Sequence, residues 1–114
     1  AAVADAVRKI VTVAPYSEIV AALGHLPQKR QELTEELGLY IAALRDLILL
    51  YRGERVSLTF YTAREEAEAL ASRAGLTRLL RIYDLTVSVA DALAANANVH
   101  LTLATFMTKV AGLA

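Results

Sequence analysis

Residues 28 to 53 read Q-K-R-Q-E-L-T-E-E-L-G-L-Y-I-A-A-L-R-D-L-I-L-L-Y-R-G. Leu33, Leu37, Tyr40, Leu44, Ile48 and Tyr51 recur in steps of three and four, the spacing of one face of an α-helix. The spacing predicts one long helix over 28–52, with Pro27 suited to its first position and Gly53 to its stop. An apolar stripe of that length must be covered by other elements, so the rest of the chain has to supply them.

Upstream, Val3, Val7, Ile10 and Ala14 follow the same helical spacing, and Pro15 is expected to end that helix. Residues 16–23 predict a short second helix around Ile19, Val20 and Leu23, closed by Gly24 as a left-handed cap. Downstream, R-V-S-L-T-F-Y-T (55–62) alternates like a strand, but it is one run without a partner and reads as an extended connector. Thr62 and Glu65 stand at capping-box spacing, ahead of a helix with Ala67, Leu70, Ala71 and Ala74 inward and Gly75 as its cap. Thr77 then suits the cap of a helix with two adjacent apolar rows. One row is Leu79, Ile82, Thr86, Val89 and Leu93; the other is Leu80, Tyr83, Val87, Ala90 and Ala94. A stripe that wide predicts burial on two sides. A final helix over 99–112 buries Leu103, Phe106, Met107 and Val110. The expected architecture is all-α, a single compact bundle of five to six helices.

The chain has 114 residues, the size of one domain over 1–114. Hydrophobic residues make up 56 % of it and the mean hydropathy is +0.42. A membrane span does not explain that excess, because Arg45 and Asp46 sit in the middle of the most apolar window and central charges are costly in a bilayer. The first apolar stretch, broken by Asp5, Arg8 and Lys9, is unlike a signal peptide, and the expected location is the cytoplasm. Twelve Lys and Arg balance twelve Asp and Glu. A neutral, apolar-rich chain favours association over electrostatic binding to nucleic acid. There is no cysteine, hence no disulfide, thiol catalysis or cysteine zinc site. The chain starts Ala1-Ala2, as expected of a domain excised from a longer protein.

Signals for catalysis, metal or cofactor are missing. His25 and His100 belong to no H-E-x-x-H or E-x-x-H pattern. Ser17, Ser57, Ser72 and Ser88 lack a nucleophile setting, and single glycines make no phosphate loop. Glu35-Glu36 and Glu65-Glu66-Glu68 read as solvated acidic residues near helix starts. Arg73, Arg78 and Arg81, around Gly75, are too few for a nucleic-acid footprint. Arg45 and Asp46 lie about 100° apart on their helix and do not face each other. Set among leucines and tyrosines, they form either a narrow polar strip or a specific contact to another helix or subunit. Asn96 and Asn98, in L-A-A-N-A-N-V-H-L-T-L (93–103), read as punctuation between two helices: Asn96 tolerates left-handed geometry and Asn98 caps the helix that follows.

Four segments in order, R-D-L-I-L-L-Y-R-G (45–53), E-E-A-E-A-L-A (65–71), L-L-R-I-Y-D-L (79–85) and L-A-A-N-A-N-V-H-L-T-L (93–103), resemble the C-terminal domain of the delta-prime subunit of the bacterial DNA polymerase III clamp loader, of the Gram-positive kind. Arg45 and Asp46 match that family's Arg-Asp pair ahead of a leucine run. Leu93, Asn96, Asn98, Leu101 and Leu103 match its N-x-N, L-x-L junction. The resemblance runs from about residue 40 onward, and the earlier residues share only helical character. Ala104 and His100 depart from the pattern, where glutamate and a polar residue such as glutamine are common. The collar domains of the gamma/tau and delta subunits are related. The resemblance implies a non-catalytic collar domain that packs with gamma/tau and delta subunits to support sliding-clamp loading in DNA replication. It implies no cofactor and no direct contact to DNA or membrane, and makes Arg45, Asp46, Asn96, Asn98, Leu101 and Leu103 structural or subunit-interface residues. Two other classes fit a small helical chain: an enzyme of the chorismate-mutase-like kind, which needs Arg and Glu converging on one pocket, and the ligand-binding half of a transcription regulator.

Overall fold

Six helices follow one another along the chain in the computed structural model, which describes residues 2–113: α1 (Ala2–Val11), α2 (Tyr16–Leu23), α3 (Arg30–Tyr51), α4 (Arg64–Ala74), α5 (Leu76–Ala94) and α6 (Val99–Gly112). Among the described residues there is no strand, and the 55–62 run is an extended connector. The radius of gyration is 13.4 Å, that of a closely packed chain of this length.

The predicted stripe of α3 is the spine. Leu33, Leu37, Tyr40 and Leu44 are buried together with Leu47, whereas Ile48 is half-buried and Tyr51 is exposed, and α3 packs most extensively against α5. The two run antiparallel. Arg30 at the start of α3 donates to Leu93 and Ala97 at the end of α5, and Tyr51 at the other end shares a surface hollow with Gly75, Leu76 and Thr77. From α5 the first predicted row, Leu79, Ile82, Thr86, Val89 and Leu93, enters the core. Thr86 is tolerated there because its hydroxyl donates to the Ile82 carbonyl at 2.7 Å. Ile10, Ile19, Leu23 and Phe106 complete the core from α1, α2 and α6, while α4 adds Ala67 and Ala71 against α3.

Three helices end the same way. After α3, Gly53 takes φ +73° while Glu54 N–H bonds to Leu49 and Gly53 N–H to Leu50. After α5, Asn96 takes φ +64° while Ala97 N–H bonds to Ala92 and Asn96 N–H to Leu93. These paired back-bonds satisfy the last helical carbonyls through one left-handed residue. After α1 that residue is Val13, at φ +57°, with Ala14 N–H on Lys9. The helix therefore stops at Val11, short of the expected end at Pro15. A β-branched side chain is poorly suited to this conformation.

Other expected boundaries move as well. Gly24 is right-handed, with φ −64°, because the chain continues into a further turn in which Leu26 N–H bonds Leu23. Pro27 lies in that linker, and α3 starts at Arg30. Thr62 does not cap α4, whose N-cap is Ala63 without a side-chain bond. Thr77 lies inside α5, since Gly75 at φ +82° ends α4 and starts α5 in a single residue.

Arg78 ties three helix ends together. Its Nε and Nη2 donate to the Ile10 carbonyl at 2.9 and 2.7 Å, and Nη1 donates to Leu113 at 2.8 Å. Burial pushes the pKa of this guanidinium below its ordinary value. The side chain works inside the fold and is not part of a basic surface cluster with Arg73 and Arg81.

Chemical denaturation tests both features. Val13→Gly relieves the left-handed strain and should raise stability by about 1 kcal/mol. Arg78→Ala strips donors from two helix-end carbonyls and should lower stability by about 2 kcal/mol.

Candidate interaction surface

Asp46 on α3 is fully buried. Its carboxylate accepts three backbone N–H bonds from the connector: Thr59 at 3.0 Å on one oxygen, Phe60 at 2.7 Å and Tyr61 at 3.0 Å on the other. A buried carboxylate is tolerable only with such a set of donors. The polar intrusion on the apolar stripe is therefore a hook for residues 59–61 of the same chain. Arg45 stays at the surface, its side chain 48 % exposed, with Nη1 at 3.7 Å from Asp46 Oδ1 and donating to Thr59 Oγ1 at 3.4 Å. The guanidinium bends back toward its neighbour, closer than the 100° offset implied, but the contact is loose.

At the α5–α6 junction the expected roles of both asparagines hold. Asn96 is the left-handed stop, and Asn98 has extended backbone and accepts the Leu101 N–H on Oδ1 at 2.9 Å. Leu103 is buried, whereas Leu101 is 68 % exposed. The Arg30 guanidinium fork grips this junction, Nη1 to Leu93 and Nη2 to Ala97, each at 2.7 Å. Asp46 lies sixteen residues further along α3, which at 1.5 Å per residue is about 24 Å away. The two sets of motif residues thus mark opposite regions of the spine and do not converge.

The second row of α5 is the main departure from expectation. It is not covered on two sides: Leu80 and Ala94 are exposed, and Tyr83, Val87 and Ala90 are half-buried. Beside it, α3 presents Gly38, Ile41, Arg45 and Ile48 on its exposed flank, with open space around Gly38 where a side chain would stand. Because the helices are antiparallel, both flanks open to the same side. The result is a two-helix apolar face without a third layer.

A solvent-open groove of about 780 Å³ lies between α1, the connector and α4, with Arg8, Tyr61, Glu66 and Arg73 among its lining. Asp5 is engaged by Arg8 and by Lys9 at 3.1 Å, and the hydrogen bond from Arg8 is the largest cause holding its carboxyl below the usual range. The Tyr61 hydroxyl is buried without a partner; burial, helped by the Asp46 charge, pushes it up to about 12. Burial also pushes Tyr40 up to about 12, with Glu36 adding to it. His25 and His100 are exposed, and among the described residues no three His, Asp or Glu side chains gather to hold a metal. No helix is long and apolar enough to cross a membrane among the described residues.

Arg30 and Arg78 tie helix ends together, a role that their positions in the sequence do not reveal. Their targets are backbone carbonyls, which leave no trace in residue type, and only the closeness of each arginine to a helix start hinted at a role. Comparison with protein-family models, with curated proteins and with solved structures finds no match in any of the three.

Two measurements probe these contacts. Asp46→Ala should cost about 3 kcal/mol, since it orphans three connector amides, and hydrogen exchange should accelerate at Thr59, Phe60 and Tyr61. Asn98→Ala should cost about 1 kcal/mol in a denaturant titration, and an unchanged midpoint would refute the cap. The raised tyrosines also set a pH dependence. Stability from Tyr40 and Tyr61 is complete below their unfolded value of 10.0 and is lost as pH rises through about 12. Absorbance at the tyrosinate band should show two tyrosines ionising near pH 12.

Proposed function

We propose that this chain is a non-catalytic assembly domain of a DNA polymerase III clamp-loader subunit of the delta-prime kind, working in the cytoplasm. It packs with the helical domains of the gamma/tau and delta subunits into the collar that supports sliding-clamp loading. The observation that carries the reading is the uncovered apolar face of α3 and α5, where Leu80 is 42 % exposed and Val87, Ile41 and Ile48 are only half-buried. An apolar face of this extent is what a partner domain would cover. The ordered motifs point the same way, and the contacts of Asp46, Asn96 and Asn98 give those motif residues structural work to do. The collar domain of a gamma/tau or delta subunit fits the same face. No catalysis, cofactor, membrane contact or direct DNA contact belongs to this function.

A second reading rests on the groove between α1 and α4. Its size suits a small molecule, as in the effector domain of a transcription regulator. Pull-down of Gram-positive gamma/tau and delta subunits by the tagged chain separates the two. Capture, lost in Val87→Asp, is expected; no capture of either subunit, together with thermal stabilisation by a small-molecule library, would overturn the assembly function.

A further inference from the structure

Arg45 and Asp84 frame the α3–α5 face from its two sides. Arg45 is exposed on α3 and makes only the two long contacts described above. Asp84 is exposed on α5, and among the described residues no cation lies within 4.0 Å of it. Between them the surface is apolar and of uneven height: Gly38 is an open notch, Leu80 stands out from α5, and Val87 is half-buried beside it.

These features are self-complementary under one operation. The start of α3 lies level with Leu93 and Ala97, and its end lies level with Gly75 to Thr77. By that register Arg45 stands within one helical turn of the level of Asp84, and Gly38 stands level with Val87. Turning a second copy about an axis parallel to the two helices lays each α3 on the other copy's α5, antiparallel and at the same level. Arg45 of each copy then meets Asp84 of the other, and Val87 of each enters the notch at Gly38 of the other. We propose that the α3–α5 face is a self-pairing surface, closing with a second copy of this chain into a four-helix layer. Two helices about 30 Å long and side by side offer about 600 Å² per copy, at the lower end of specific interfaces. The pairing is isologous, so each ion contact occurs twice. It goes beyond the assembly reading, because it names a partner that needs no other subunit.

Analytical ultracentrifugation of the 114-residue chain tests it, with far-UV circular dichroism to establish that each variant is folded. The wild type is expected to form dimers with a dissociation constant on the order of micromolar. Val87→Asp should weaken pairing by at least about tenfold, since it places a charge in the apolar centre. Arg45→Asp and Asp84→Arg should each weaken it by about tenfold, and the double exchange should restore it to within about threefold of wild type. A wild-type chain monomeric up to about 500 μM, two orders above that expected range, overturns the proposal. So does a dimer indifferent to Val87→Asp, or a double exchange no better than its single parents. The outcome is separate from the clamp-loader reading: a monomer that captures gamma/tau or delta ends self-pairing alone, and a dimer that captures neither ends only the collar function.

Discussion

One carboxylate with no access to water decides how this chain closes. Asp46 sits on the spine helix among leucines, where an uncompensated charge would be costly. It is matched by three N–H groups of consecutive connector residues, Thr59, Phe60 and Tyr61. That match fixes the connector against α3, turns Phe60 and Tyr61 onto the core, and sets the point from which α4 begins. The connector has no strand partner to hold it. Its amides would otherwise be left to water beside an apolar surface, so the hook replaces a sheet ladder. Arg64 adds a second tie, its Nη2 donating to Val56 at 2.7 Å.

Two arginines do for helix ends what Asp46 does for the connector. The last carbonyls of a helix have no partner within it, and here several lie where other helices cover them. Arg30 reaches the end of α5, and Arg78 reaches the ends of α1 and α6. Both use a planar fork that can donate to two acceptors at once. Of the arginines near Gly75, Arg78 is spent in this way, while Arg73 and Arg81 stay exposed.

What could be read from the sequence was what is decided locally. The α3 stripe, the Gly53 and Asn96 stops and the Asn98 cap depend on residues within a few positions of one another. Six helices and a strandless connector follow from periodicity and lie within the expected five to six. The failures share a cause in contacts distant along the chain. Thr62 does not cap α4, which is entered one residue later at Ala63, just past the connector residues held by Asp46. Val13 takes a left-handed conformation that residue type argues against, imposed by packing of α1 onto α2. The partner of Asp46 was illegible because amides at 59–61 are the same whatever side chains they carry. Of the candidate surface residues, Arg45 and Leu101 are exposed, whereas Asp46 and Leu103 are spent on the interior.

The uncovered side of α3 and α5 follows from the same arithmetic of faces. Helix α3 already turns one side to α1 and α5 and another to the connector and α4, and α6 covers α5 from beyond. The six helices are then used up, and one flank of the longest pair remains open. Ile48 and Tyr83 also pack against the core, but Ile41, Leu80 and Val87 could have been polar at little cost to it. The sequence instead keeps Ile41, Ile48, Leu80, Tyr83 and Val87 apolar, and keeps Gly38 where a helix would gain from alanine. Apolar side chains on an open flank contribute little to folding and much to association. That choice gains a physical purpose in the proposed pairing, which would lay a second copy across it.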